Sequence, residues 1–206
     1  MALEGAWPPP KWTTNRGALE KVFGLNRSSH FLRHHRGLLH QLWETQITRA
    51  IRATLLESPE RTVERCQALL IALDGPTAPR IGRIESISAD SADRIDLAMH
   101  CRTIDGDRLC VIVEAKLHSE LSDTQLRKYL LGLKRDYPRP EQRRLWVVAP
   151  TMMTRTSAVL QRRENVEWRF KSWRRLLIEW QRALPDHPGS DVLSLMSEVW
   201  KRVGGR

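Results

Sequence analysis

Three charged residues, Asp96, Glu114 and Lys116, lie in or beside apolar segments of the chain. The segment from Cys110 to Lys116 is rich in β-branched residues, which is typical of a central strand covered on both faces. Charged side chains enter such a strand mainly when they are paired or bind a metal ion. Glu114 and Lys116 are two residues apart, so on a strand they share a face. Two carboxylates and an ammonium group would suit hydrolysis of a phosphodiester with a bound metal ion.

The turn between the two segments decides whether the carboxylates meet. Asp105 and Gly106 are a hairpin signal. A two-residue turn there would place Asp96 opposite Ala115, on the face away from Glu114. A three-residue loop, with Gly106 left-handed in a bulge, would place Asp96 opposite Glu114. We therefore predict a bulged, odd-length connection.

The elements around this hairpin follow from apolar periodicity. Helices are predicted over 38–56, 62–73, 122–135, 172–184 and 190–203, and strands over 83–88, 94–101, 109–117, 143–149 and 166–170. This order predicts an α/β fold with a mixed central β-sheet flanked by helices and with helical additions at both ends. Residues 1–16, which contain three consecutive prolines, are predicted to be an extended arm, followed by one domain over 17–206. Its core would span about 38–171, with C-terminal helices over 172–203.

The composition argues against a membrane protein, a disulfide-rich secreted protein and a zinc ribbon. No stretch approaches the length of a membrane span, and the N-terminus lacks the pattern of a signal peptide. Three cysteines without a CxxC spacing indicate neither a disulfide framework nor a zinc ribbon, which favours a cytoplasmic location. Residues 120–206 contain 18 Lys and Arg against 10 Asp and Glu, whereas residues 1–119 are nearly balanced. That basic excess indicates either a polyanionic partner or a soluble basic surface.

The order of Asp96 on one strand and Glu114-Ala115-Lys116 on the next resembles the PD-(D/E)xK nuclease superfamily. Ile95 stands where the motif has proline. The following helix carries Gln125 and Tyr129, as in the Gln-xxx-Tyr pair of the RecB-type branch, and the stretch 94–133 looks like a family of uncharacterised bacterial members. The resemblance covers about 40 of the 206 residues.

This resemblance implies the αβββαβ core of restriction endonucleases and a metal-dependent hydrolase. Asp96 and Glu114 would bind Mg²⁺, or Mn²⁺ in its place, because these cations prefer oxygen ligands. The Ala115 carbonyl would be a third ligand. Lys116 would orient the attacking water or stabilise the transition state. One metal and two metals both remain open.

Three further residues are candidates for helping at the site. Gln125 and Tyr129 are one helical turn apart and would both reach it. Alternatively, Gln125 closes a capping box that begins at Ser122, and Tyr129 is simply core. Glu44, on the first long helix, is the candidate for an additional carboxylate near the metal. Glu85 competes for that role, and a solvated helix glutamate is the alternative interpretation of Glu44.

A second group of residues indicates contact with nucleic acid. The C-terminal part of the chain interleaves aromatic and basic residues, a mixture that binds backbone phosphates and stacks on bases. The candidates are Arg169, Lys171, Arg174 and Arg175, together with His118 just beyond Lys116. The alternative interpretation is an ordinary strand and helix with tryptophans inward and cations outward.

The leading hypothesis is therefore metal-dependent phosphodiester hydrolysis by a nuclease, with DNA favoured over RNA as partner and no membrane association. A non-catalytic nucleic-acid-binding module on the same fold is the first alternative. The second is a structural or interaction protein in which Lys116 simply forms an ion pair with Asp96 or Glu114. Substrate specificity, endo or exo action and oligomeric state are not indicated by the sequence.

Overall fold

A computed structural model of the protein describes residues 39–89, 95–117, 123–150 and 168–184, together with four buried helical residues, Val192, Leu195, Met196 and Val199. For residues 39–46 and 123 it describes the backbone only. The predicted arm over residues 1–16 lies outside this range. No helix within the described part of the chain is long and apolar enough to cross a membrane.

Besides the four helical residues near the C-terminus, the described part contains four α-helices, five strands and two short 3₁₀ helices, Pro59–Arg61 and Pro140–Gln142. The helices are α1 (Leu39–Leu56), α2 (Thr62–Asp74), α3 (Asp123–Asp136) and α4 (Trp173–Ala183). The strands are β1 (Ile81–Ala89), β2 (Leu97–Thr103), β3 (Arg108–Ala115), β4 (Arg143–Ala149) and β5 (Arg169–Ser172). The last strand lies further along the chain than the predicted 166–170. It runs up to Ser172, whose side chain accepts a hydrogen bond from the Arg175 N–H and caps α4.

The sheet has the order β1-β2-β3-β4-β5. The pairs β1–β2 and β2–β3 are antiparallel, whereas β3–β4 and β4–β5 are parallel. Helix α3 makes the crossover between the parallel strands β3 and β4, as such a connection requires. The predicted α/β class, with a mixed sheet flanked by helices in the order αβββαβ, is confirmed.

Alternation along β3 divides the core into two parts. One face of the sheet, the three-helix face, packs on α1, α2 and α4, and β3 contributes Leu109, Val111, Val113 and Ala115 to it. The opposite face, the α3 face, packs on α3, and β3 contributes Cys110 and Ile112 to it. Both faces of β3 are therefore covered, as its continuous apolar sequence predicts. Glu114 and Lys116 continue the series that lies on the α3 face.

The hairpin between β2 and β3 has the odd-length loop that the site requires. The pairing runs without a shift from Leu97 opposite Val113 to Arg102 opposite Arg108. The Gly106 N–H donates to the Thr103 carbonyl at 3.0 Å, and Gly106 is left-handed with φ 85°. This loop confirms the prediction. Continuing the register by one pair places residue 96 opposite residue 114, so the two acidic residues share the α3 face.

Gly106→Ala is expected to lower the free energy of unfolding by about 1 to 2 kcal/mol, because an L side chain at positive φ is strained. A Cβ there would meet nothing within 4 Å, so the loss would be conformational rather than steric. Gly106→Asn should lose less, since asparagine tolerates this region better. Urea denaturation measures both variants, and equal stability of Gly106→Ala and the wild type would contradict the assignment.

Candidate active site

The structure brings Asp96, Glu114 and Lys116 together on the α3 face, where β2 and β3 reach the end of their pairing. The Lys116 ammonium lies 2.5 Å from Oε1 of Glu114. Asp96 Oδ2 accepts a hydrogen bond from the Ala115 backbone N–H at 2.8 Å. Since the ladder ends at Leu97, the Asp96 side chain takes the place of the next backbone acceptor in β2. The carboxylate is thereby anchored beside Glu114.

Helix α3 adds both residues of the Gln-xxx-Tyr pair to this group. Gln125 Nε2 donates to Glu114 Oε1 at 2.8 Å and to the Tyr129 hydroxyl at 2.6 Å. One amide nitrogen carries two hydrogens, so it can make both bonds. Tyr129 is buried and packs in the core of the α3 face. It therefore belongs both to the core and to the hydrogen-bonded group around Glu114. The capping-box alternative for Gln125 depends on Ser122, which lies outside the described residues.

The backbone of Lys116 is held from two sides. Its N–H donates to the Val148 carbonyl of β4 at 2.7 Å, and its carbonyl accepts from the indole N–H of Trp173 at 2.7 Å. Trp173 is fully buried at the start of α4. It holds the Lys116 backbone in place, whereas the sequence interpretation gave the tryptophans of this segment only an inward position. No local pattern could reveal a hydrogen bond between residues 57 positions apart.

Glu114 has an unusual electrostatic environment for a carboxylate. Its side chain is fully buried, and Oε1 receives both Lys116 and Gln125. The second oxygen, Oε2, is also buried and has no hydrogen-bond partner among the described residues. Burial raises the pKa of Glu114, and the neighbouring Lys116 ammonium opposes that shift. A buried oxygen of this kind normally has a partner, which an added cation would provide.

The residues beside Glu114 offer the ligand types that a hard divalent cation prefers. Asp96 supplies a second carboxylate, and Ala115 directs its N–H toward the β2 side of the strand. In an antiparallel ladder the N–H and C=O of one residue face the same neighbour, so the Ala115 carbonyl is directed to that side too. Oxygen donors of these types are the ligands that Mg²⁺ prefers. This set has two carboxylates; across the described residues, no group of three or more His, Cys, Asp or Glu could hold a metal ion.

The structure describes the side chain of only one of the two candidates for a further carboxylate, Glu44 and Glu85. Glu44 lies on α1, but its side chain is outside the described part, so its role stays a prediction. Glu85 lies on β1 and pairs with Arg102 Nε at 2.8 Å. Arg102 is near the hairpin loop, six residues along β2 from Asp96. Glu85 is therefore engaged at the opposite end of the strand from the site.

The predicted nucleic-acid contacts on β5 and α4 do not join the site. In the register of β4 with β5, Arg169 lies opposite Trp146 and Lys171 opposite Val148, two residues of the three-helix face. Lys171 is buried, forms an ion pair with Glu179 at 2.5 Å and donates to the Ala72 carbonyl. Its ammonium group therefore binds partners within the protein.

The two arginines on α4 also lie away from the site. Arg175 is exposed and pairs with Glu179 at 2.7 Å, and Arg174 is half-buried. Helix α4 packs on the three-helix face, opposite the face that carries Asp96 and Glu114. Contact of Arg169, Arg174 or Arg175 with nucleic acid stays a prediction for a separate surface. His118 lies outside the described residues.

Cation binding is expected to strengthen as the pH rises. The raised pKa means that Glu114 keeps its proton to a higher pH than an exposed glutamate, and the protonated form cannot bind a cation. In the metal-free protein, the contribution of Glu114 to stability is complete below its unfolded pKa and is lost as the pH rises through the folded one. The difference in thermal midpoint between Mg²⁺ and EDTA should therefore keep growing as the pH rises above the ordinary pKa range of a glutamate. Glu114→Gln should remove this dependence on pH. A difference in thermal midpoint that did not change with pH in the wild type would contradict cation binding at Glu114.

No protein-family model matches the chain, and no curated protein matches it. The solved structure of EndoMS in its apo form is similar, with 24% sequence identity and a TM-score of 0.32. The similarity covers 53% of this chain and 46% of that chain, so the match spans less than half the length of that protein. At this level of similarity, the function of the chain has to be argued from the geometry of its own site.

Proposed function

We propose that the protein is a nuclease that hydrolyses phosphodiester bonds with Mg²⁺ or Mn²⁺, and that DNA is its substrate in preference to RNA. One observation carries the proposal: Glu114 is fully buried with Lys116 on one oxygen and no described partner on the other. Asp96 lies beside it on the same face. The resemblance of this Asp…Glu-x-Lys order to PD-(D/E)xK nucleases supports the same conclusion.

Asp96, Glu114 and the Ala115 carbonyl would hold the cation. When bound, it supplies positive charge to the phosphate and lowers the pKa of a coordinated water. Gln125 keeps the Glu114 carboxylate in one orientation by donating to Oε1, and Tyr129 in turn accepts from Gln125. This leaves Oε2 as the oxygen available for the cation. The hydrogen bond from the Ala115 N–H fixes Asp96 in the same way.

Lys116 would orient the attacking water or stabilise charge on the phosphate oxygens. A compact ammonium group suits this role, because it can approach a single oxygen where a planar guanidinium would need a wider space. Its ion pair with Glu114 and the two backbone hydrogen bonds hold it beside the carboxylates. Such preorganised charge needs little rearrangement when the substrate binds.

A purely structural ion pair explains this site less well. Strand β3 is central rather than at the sheet edge, and a charge pair there must overcome the desolvation of both groups. A pair that served stability alone would be expected to satisfy every buried oxygen. Glu114 Oε2 does not follow that expectation among the described residues.

Incubation of the purified protein with supercoiled, linear and single-stranded DNA and with RNA tests the proposal, in Mg²⁺, Mn²⁺ or EDTA. Cleavage of DNA in either cation and none in EDTA is the expected result. Binding of nucleic acid without cleavage in any condition would favour a non-catalytic binding module instead. Absence of both would favour the structural ion pair.

A further inference from the structure

A cavity of about 620 Å³ lies between α3 and the α3 face of β1, β2 and β3. We call it the α3 groove. Its floor includes Ile95, Ala98 and Ile112, and its α3 wall includes Lys128, Tyr129 and Gly132. Ligand-binding cavities commonly have volumes of about 300 to 1,000 Å³, so the groove can hold a group as large as a nucleotide.

The groove begins beside the candidate active site. Ile95 precedes Asp96 in the chain, and Tyr129 shares Gln125 with Glu114. Ala98 and Ile112 are paired across β2 and β3, two residues from the acidic pair, which corresponds to about 7 Å along the strands. A chain whose phosphodiester lies at the acidic pair would therefore place a neighbouring nucleotide in the groove.

The interior of the groove is apolar or neutral, whereas its rim carries a cation near the site. His100 lines it with Nδ1 hydrogen-bonded to the Tyr137 hydroxyl at 2.7 Å, and burial lowers the pKa of His100, so the ring is neutral near pH 7. Lys128 is exposed on α3, three residues beyond Gln125. At the far end, Arg135 pairs with Asp136. A neutral floor with an ammonium at the edge is complementary to a base and its phosphate rather than to phosphate alone.

Gly132 adds an observation that is independent of charge. It lies in the interior of α3, on the same side as Lys128, Leu131 and Arg135, where glycine is the least favourable helix residue apart from proline. A Cβ at this position would meet nothing within 4 Å. Packing of the fold therefore does not require glycine, and because Gly132 lines the groove, a side chain there would narrow it. Leu131 beside it is 68% exposed, which leaves a large apolar surface at the rim.

We propose that the α3 groove holds the unpaired bases of a single nucleic-acid strand whose adjacent phosphodiester lies at Asp96, Glu114 and Lys116. This inference rests on the proposed nuclease function and names its substrate class as single-stranded rather than duplex nucleic acid. In a duplex the bases are stacked and paired, and they would have to leave the helix before they could enter the groove. Bases of a single strand are already free to contact apolar and aromatic side chains.

Fluorescence anisotropy with a labelled single-stranded DNA oligonucleotide, in EDTA, tests binding without cleavage. The wild type should bind the single strand at least about tenfold more tightly than a duplex of the same sequence. Gly132→Leu should weaken single-strand binding by about tenfold or more, because its side chain occupies the groove. Gly132→Ala should raise the melting temperature by about 2 to 4 °C and still weaken binding, since alanine favours the helix.

Lys128→Gln and Lys134→Gln form a matched pair for the rim. Both lysines are exposed on α3, but Lys134 does not line the groove. Lys128→Gln should weaken binding severalfold and reduce the slope of log K against log salt by about 0.7, as expected for one lost phosphate contact with a single strand. Lys134→Gln should leave both quantities unchanged. A labelled RNA oligonucleotide in the same assay shows which type of single strand binds more tightly.

The outcomes separate this inference from the proposed function. Equal binding by Gly132→Leu and wild type, with the variant folded by circular dichroism, would overturn the inference even if the protein cleaves DNA. Tighter binding of duplex than of single strand would overturn it too. If no cleavage occurs in any cation, but the groove variants lose single-strand binding, the nuclease proposal fails and the binding site stands.

Discussion

Lys116→Met is expected to lower the rate of metal-dependent cleavage by about 10² to 10⁴-fold, the range typical for loss of a positioned proton-transfer or electrostatic group. Methionine fills similar volume but has no charge to orient water or stabilise the transition state. Lys116→Arg should recover only part of the rate, because a guanidinium cannot occupy the compact site of an ammonium that lies 2.5 Å from Glu114. Single-turnover assays with excess protein measure the rate, and circular dichroism checks the fold.

Lys171→Met is the matched control for this substitution. Lys171 is about as buried as Lys116, and its ammonium also lies 2.5 Å from a glutamate, but on the opposite face of the sheet. We expect lower stability with an unchanged cleavage rate for the folded protein. Similar rate losses in both variants would mean that Lys116 acts through stability alone. A rate loss at Lys171 only would favour its predicted role in binding nucleic acid.

Asp74→Ala is expected to lower the free energy of unfolding by about 3 to 5 kcal/mol, because it leaves the buried Trp146 indole without its acceptor and Arg144 without its carboxylate. The Asp74 side chain is 4% exposed at the end of α2. It accepts from Arg144 Nε at 2.7 Å and from the Trp146 indole at 2.9 Å, so it ties α2 to β4. Arg169 on β5 lies 3.4 Å away.

Asp107→Ala provides the comparison for Asp74. Asp107 pairs with Arg139 at 2.9 Å, but both side chains are more than half exposed. A pair in solvent contributes about 0 to 1 kcal/mol, so this variant should unfold at nearly the wild-type urea concentration. If Asp74→Ala were as mild as Asp107→Ala, the Asp74 contacts would not be holding α2 to the sheet.

Those parts of the site that depend on short-range patterns could be predicted from the sequence. The spacing of Glu114 and Lys116 places them on one face of a strand, and the loop ending in Gly106 fixes the register that puts Asp96 on the same face. Gln125 and Tyr129 are one helical turn apart, so helix geometry alone brings them together. In each case, the geometry of one strand, one helix or one hairpin loop is enough to decide which residues meet.

Other contacts arise only when distant elements pack. The bond from Trp173 to the Lys116 carbonyl needs α4 to dock against the end of β3. One of the two interpretations of this segment placed Lys171 outward, as cations of an ordinary strand and helix usually lie. Both faces of this sheet are covered, so alternation does not distinguish buried from exposed positions in β5. Lys171 is stable inside because Glu179 on α4 neutralises it.

The three-residue loop over 104–106 separates changes that the hairpin can absorb from changes that reach the candidate site. Loss of one loop residue leaves a two-residue turn between Thr103 and Asp107, a length that also closes a hairpin, so Asp96 stays opposite Glu114. Loss of one residue within β2 moves Asp96 by one position and turns its side chain to the other face of the sheet. Asp96 would then lie among the residues of the three-helix face, about 25 Å from the loop. Deletions inside β2 should therefore behave like active-site mutations, whereas deletions or substitutions at exposed Ile104 or Asp105 should not.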